Sequence, residues 1–327
     1  MTKTKQILSA LIILCMLLAV VPMASYAAEP SGTCGDNLTW EYNSSTQTLT
    51  ISGTGDMRSY VPSSPPAPWS YYRNDIMHLS IESGVKSIGT YAFYLCKGLK
   101  SVTIPGSVIS IGDSAFYSCS SLTSVIIQNG VTSIGNHAFD SCSSLTSITI
   151  PDGVKSIGAY AFYRCGQLES ITLPDSVTSI GDQAFYNTAC YNDDSEWDVL
   201  YIGNHLIKAN TNISGEYSIK SGTKTIGDCA FYGCKGLKSI TIPDITVSIG
   251  NQAFYSCSGL NSIRIPKNVT SIGDYAFQVC VNLTEISVDT DNTAYCSENG
   301  ILYNKEKQRL YVSRIKNRIP CLQYRTA

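Results

Sequence analysis

The sequence predicts an α/β repeat solenoid of short parallel strands joined by short helices or turns, preceded by a small β segment. Three observations predict it. The hexad Ile-Gly-x-x-Ala-Phe starts at Ile88, Ile111, Ile134, Ile157 and Ile180, and again at Ile226, Ile249 and Ile272, with a step of 23 residues; 180 to 226 is twice that step. The units carry the pattern Leu-x-x-Ile-x-Ile, with Val or Leu at some of its positions, and its alternating apolar side chains fall on one face of a strand. A Gly followed by Asp or Asn marks a turn between the two apolar segments (Asp113, Asn136, Asp182, Asp228, Asn251, Asp274). No unit of this size can bury its own apolar face, so stacked units must share one core.

Residues 1–27 precede the repeats. Lys3 and Lys5, an apolar run over 7–21, Pro22 and the small residues Ser25 and Ala27 have the form of an export signal, with cleavage expected after Ala27. The run is shorter than the roughly 20 residues a bilayer span needs. Residues 28–80 alternate apolar and polar around Leu38, Trp40, Leu49 and Ile51, and are read as a β segment capping the first coil. Four prolines between Pro62 and Trp69 make a stiff connector that leans Trp69 on the core.

Within each unit of 81–289, a proline usually follows the strand (Pro105, Pro151, Pro174, Pro243, Pro266) and ends its ladder, having no N–H to donate. The Asp or Asn after Gly suits the N-cap of a short helix carrying Ala-Phe. A carboxylate ladder for Ca²⁺ is disfavoured by the amides at Asn136 and Asn251 and by Ala159.

The unit due at 203 is replaced by 199–208, a hairpin about Gly203 and Asn204, inside an insertion over about 190–215. Residues 301–311 read as a second hairpin within the atypical tail, 290–327. Residues 321–327 match no part of the unit, which suggests a truncated or altered end and an exposed edge strand.

The units resemble the BspA-type leucine-rich repeats of bacterial surface proteins, with the pattern I-G-x-x-A-F-x-x-C-x-x-L-x-x-I-x-I-P over 81–289. The stretches 32–40 and 49–56 resemble the leader that often precedes such repeats. This resemblance implies a secreted or cell-surface solenoid, with adhesion to host or neighbouring-cell proteins. It brings no catalytic residue and no cofactor.

Composition points the same way. Charged residues make up 15%, against roughly 25% in ordinary soluble domains. The 23 basic and 25 acidic residues are dispersed, leaving no footprint for nucleic acid. Three histidines, His78, His137 and His205, offer little for a zinc cluster or a triad, so no enzyme is expected. The acidic group Asp193, Asp194, Glu196 and Asp198 reads as a solvated loop.

Four columns are the candidate functional features. Cys96, Cys119, Cys142, Cys165, Cys234, Cys257 and Cys280 stand three residues after each Phe. They are read as buried reduced thiols in preference to disulfides between coils. Tyr94, Tyr117, Tyr163, Tyr186, Tyr232 and Tyr255 follow Phe; packing is the first reading, an aromatic stripe for a ligand the sharper one. Ser101, Ser124, Ser147, Ser170, Ser239 and Ser262 form a hydroxyl column on the strand face. Lys100, Glu169, Lys238, Arg264 and Glu285 punctuate that face and would set partner choice. The expected partners are extracellular proteins or glycoproteins, bound across several coils. The rival expectation is a passive, self-associating component of the envelope.

Overall fold

The computed structural model describes residues 30–192, 198–305 and 310–311. The export signal, the acidic residues 193–197 and the tail beyond 311 lie outside the described residues.

The protein is a repeat solenoid. Strands Ser31–Thr33, Leu38–Asn43 and Thr48–Gly53 pair antiparallel, and the last continues in parallel through His78–Ile81 and Ser101–Ile104 to Ser124–Ile127. A second parallel sheet runs from Gly55–Asp56 and Val85–Ile88 to Ser179–Ile180, one short strand per coil. The register is the repeat itself: Ser133 faces Ser110 and Ser156, and Ile134 faces Ile111 and Ile157. The N-terminal segment therefore shares its sheet with the first coils, and Trp69, fully buried, stacks on Phe93 at 5.6 Å and donates Nε1–H to the Ala92 carbonyl at 2.8 Å.

Inside, the phenylalanines form a column. Phe93, Phe116, Phe139, Phe162 and Phe185 stack at 5.1–5.6 Å, and Phe231, Phe254 and Phe277 repeat the arrangement at 5.1 and 5.6 Å. The core is correspondingly in two clusters that interleave over the interrupted unit, the first taking Ile202 and Ile207 and the second Val199 and Leu206.

The expected short helices are absent from the coils; among the described residues only Ala189–Asn192 is α-helical and Ser70–Tyr72 is 3₁₀. The reason is where the N–H groups point. In the coil of Ile111, Ala115, Tyr117 and Cys119 donate back three residues, whereas Ser114, Phe116 and Ser118 donate to Asn136, Ala138 and Asp140 of the next coil at 2.7–2.8 Å. An α-helix would keep all these bonds within its own segment. Turning alternate amides outward puts two residues per coil in the left-handed region: Ser114 and Ser118 have φ of 53° and 59°, and their equivalents Tyr91, Leu95, His137, Ser141, Tyr160 and Arg164 behave alike. A non-glycine residue there costs about 1–2 kcal/mol, which the intercoil bonds offset.

Two further sequence expectations change for the same reason. The Asp or Asn after Gly caps no helix. Its side-chain oxygen accepts the N–H of the equivalent residue one coil on: Asp113 from Asn136 (2.7 Å), Asn136 from Ala159 (2.8 Å), Asp228 from Asn251 (2.7 Å) and Asn251 from Asp274 (2.7 Å). The hexad glycine serves close approach, not an unusual φ: a Cβ at Gly158 would lie 2.5 Å from the Asn136 nitrogen.

The unit due at 203 keeps its strands and changes its turn. Val199–Ile202 and His205–Ala209 form the antiparallel hairpin, and His205–Ala209 then pairs in parallel with Thr225–Ile226. Ser214–Ser218 pairs in parallel with Gly236–Thr241. At the far end, Tyr295–Glu298, Ile301–Asn304 and Leu310–Tyr311 form an antiparallel sheet, whose first strand the sequence pattern did not reveal.

Candidate functional site

The cysteine column lies in the core. Cys96, Cys119, Cys142, Cys165, Cys234, Cys257 and Cys280 are all buried with unbridged thiols. Each of Cys119, Cys142, Cys165, Cys257 and Cys280 points its Sγ at the Phe carbonyl of the preceding coil, at 3.0–3.2 Å. A thiol there donates, which a thiolate cannot do. Burial agrees with that, pushing Cys96 and Cys234 up to about 12. These side chains space the coils and face no solvent.

The tyrosines lie on the outside of the turns. Tyr94 stacks on Tyr117 at 5.3 Å, Tyr163 on Tyr186 at 5.6 Å, and Tyr232 on Tyr255 at 5.0 Å. Five are partly exposed and Tyr232 is 47% exposed. Coil 134 breaks the column with Asp140, but His137 fills the gap, 4.7 Å from the Tyr160 ring and parallel to it, with Nδ1 2.8 Å from Asp140 Oδ2. The sequence reading missed His137, Tyr91 and Tyr160 as members of this surface. They occupy a variable position of the hexad, and only the left-handed backbone there brings them beside the post-Phe rings.

The strand face carries the hydroxyls. Ser101 lies opposite Ser124, Ser147 opposite Ser170 and Ser239 opposite Ser262. Lys100, Glu169, Lys238 and Glu285 are exposed around them. Arg264 is already engaged: it bonds Asp244 at 3.2 Å and also Asp289, spanning neighbouring coils. Glu285 lies one register step along, opposite Ser262.

The histidines do not converge. His205 is fully buried; its Nε2 lies 3.0 Å from the Pro174 carbonyl and its Nδ1 2.9 Å from Thr225 Oγ1. A carbonyl only accepts, so Nε2 carries the proton and Nδ1 takes the Thr225 hydroxyl. Burial lowers the affinity of this imidazole for a second proton. His205 thus ties the coil of Pro174 to the coil of Thr225. Among the described residues no group of three or more His, Cys, Asp or Glu is placed to hold a metal ion, and no helix is long and apolar enough to cross a membrane.

Comparison with known proteins agrees with this architecture. The family model for the BspA type leucine-rich repeat region matches residues 69–192 and 201–311 in six copies. No curated protein matches the chain. Among solved structures, a leucine-rich repeat protein from Eubacterium ventriosum is 32% identical, with 80% of this chain and 73% of that chain covered and a TM-score of 0.49. A leucine-rich cell surface protein from Faecalibacterium prausnitzii is 27% identical (81% and 96% covered, TM-score 0.39). A leucine-rich repeat protein from Bacteroides ovatus is 20% identical (79% and 94%, TM-score 0.35).

Proposed function

We propose, from the premise that the chain belongs to the BspA-type leucine-rich repeat family, that it is an exported surface protein binding extracellular proteins or glycoproteins through its repeat surface. The observation that supports this most is the partly exposed aromatic stripe, Tyr94 and Tyr117, then His137, Tyr160, Tyr163 and Tyr186, repeated coil after coil at ring spacings of 4.7–6.3 Å. Amphipathic rings of this kind supply contact area at little entropic cost. A periodic row of them engages a repetitive ligand at several points, so that individually weak contacts add through effective concentration. The hydroxyl and charged residues of the strand face would set selectivity. The reading assigns the chain no reaction and no cofactor.

The rival reading, self-association within the envelope, draws on the last coil, where Tyr275, Val279 and Val281 are 44–46% exposed. The test is binding of the purified chain to immobilised matrix glycoproteins, mucin glycans and bacterial cells, beside a Tyr117→Ser, Tyr163→Ser, Tyr186→Ser variant. Saturable binding to one class, lost in the folded variant, is the expected result. A folded chain that binds none of them and sediments as a concentration-dependent oligomer would replace adhesion with self-assembly.

A further inference from the structure

The shortened turn of the interrupted unit leaves a cleft of about 450 Å³ between two coils, lined on one side by 181–186, on the other by 227–229 and Tyr232, and along its length by Tyr191, 207–209 and Thr211. That volume lies within the roughly 300–1,000 Å³ of ordinary ligand sites. Its origin is a count of residues. From Ile226 to Ser239 the chain takes thirteen steps round the turn, whereas from Leu206 to Glu216, which lie opposite them in the sheets, it takes ten. The coils touch at the base, where the Asp228 N–H reaches the Ile180 carbonyl at 3.1 Å.

The walls of the cleft hold the hydrogen-bonding groups that the omitted turn would have met. In the coil of Ile157, the N–H groups of Tyr160, Phe162 and Arg164 donate to the carbonyls of Asp182, Ala184 and Tyr186 at 2.7–2.9 Å. The corresponding groups one coil on, the N–H of Gln183 and Phe185 in the cleft wall and of Asn187 just beyond it, have no partner among the described residues, although Phe185 is fully buried. On the opposite wall Ala230 receives the Ala209 N–H at 2.7 Å, while the carbonyls of Asp228 and Tyr232 are without a partner among the described residues. Buried main-chain donors are rarely left unpaired. Three such N–H groups at alternate residues of the turn, with Phe185 fully buried and Gln183 and Asn187 partly exposed, offer main-chain bonds to a peptide.

The geometry points to a peptide-binding site in this cleft: a short extended segment of a partner protein, carrying an aromatic side chain, completes the missing coil. Three of its carbonyls, at alternate residues, accept from Gln183, Phe185 and Asn187. Its ring enters between Tyr186 and Tyr232, the last ring of the Tyr163–Tyr186 pair and the first of the Tyr232–Tyr255 pair, both of which line the cleft. The repeat's own turn has this chemistry, so it defines the probe. The last hexad also leaves the Phe277 and Val279 N–H groups without partners among the described residues, but there no second coil supplies a facing wall.

The site is tested apart from the surface reading above, because Thr211→Trp leaves the aromatic stripe unchanged and Tyr117→Ser with Tyr163→Ser leaves the cleft lining unchanged. The experiment titrates the full chain into a fluorescein-labelled, end-capped octapeptide with the sequence of residues 180–187 and follows anisotropy. A scrambled peptide and a peptide with Phe replaced by Ala run alongside. Saturable binding of the first peptide is expected, with affinity at least about tenfold weaker for both controls. Thr211→Trp, at an exposed residue lining the cleft, fills the space and should weaken binding at least about tenfold. Tyr232→Ser should weaken it as well and serves if the tryptophan variant does not fold. Absence of binding by the folded chain, or equal affinity for the scrambled peptide, overturns the assignment. So does binding that Val279→Lys abolishes and Thr211→Trp leaves intact, since the peptide would then sit on the last coil.

Discussion

The coils from Ile88 to Phe185 and those from Ile226 to Phe277 are built from one unit, yet they do not join as neighbouring coils join within either stack. Inside a stack the hexad glycine is pressed against the backbone below, so a Cβ at Gly158 would meet Asn136 at 2.5 Å and one at Gly250 would meet Asp228 Oδ1 at 2.4 Å. At Gly227, the first hexad glycine after the interruption, the nearest atom to such a Cβ is the Leu206 carbonyl at 3.2 Å. Alternate turn amides are paired within the stacks, whereas those of Gln183, Phe185 and Asn187 have no partner among the described residues. What replaces the ladder is side-chain stitching: His205 to Pro174 and Thr225, Asn204 to Asp175 at 2.8 Å, and Ser248 to the Thr178 carbonyl at 2.6 Å. The lesson is that the repeat's stability belongs to coil-to-coil contacts, and shortening one turn by three residues removes a whole layer of them.

Substitutions can sharpen or break that contrast. The largest effect is expected at Phe139, which is sandwiched between Phe116 at 5.2 Å and Phe162 at 5.4 Å. Phe139→Ala should cost about 3–5 kcal/mol, read by urea denaturation, and Phe277→Ala, with one stacked neighbour, clearly less. Equal losses at both sites would mean that stacking does not govern the columns. Next comes the glycine pair: Gly158→Ala should cost about 1–3 kcal/mol as an overpacked contact with backbone, whereas Gly227→Ala, whose Cβ would lie 3.2 Å from the Leu206 carbonyl, should cost clearly less.

The stitch has its own signature in pH. Burial depresses the His205 pKa, so the unfolded chain takes up the proton first, below about pH 6.5. The stabilisation is therefore whole above that pH and declines as pH falls through it. A melting series from pH 8 to 5 should show this loss in the parent and a shallower slope in His205→Gln; identical slopes would remove His205 from the account. The smallest effect is a gain. Val279 is β-branched with φ of 62°, and Val279→Gly should relieve the left-handed strain and stabilise by up to about 1 kcal/mol.

Much of this was legible in the sequence because the repeat period is also the register. The Phe, Cys, Ile and Ser columns follow from residues recurring at 23-residue steps, the hairpin at Gly203 from a favoured turn pair, and the role of Trp69 from the prolines before it. What was not legible depends on atoms one coil away. Asp113 looks like an N-cap when only its chain neighbours are considered, but its acceptor is used by Asn136. Ala-Phe in a turn reads as helical until the Phe N–H is seen to leave its own segment. His137 joins the aromatic stripe only because its backbone is left-handed. The cleft escaped notice for a related reason, since the hairpin keeps the strands of the missing unit and conceals the shortened turn.

The most direct test of two stacks sharing a unit but not a ladder is amide hydrogen exchange of the full chain, resolved to single residues. The Phe116, Phe139 and Phe162 amides, each bonded to the next coil at 2.7–2.8 Å, should exchange slowly and at comparable rates. The Phe185 amide should exchange at least about tenfold faster, because no intercoil bond must break first. Protection of Phe185 equal to that of Phe162 would show the ladder to be continuous and contradict the account.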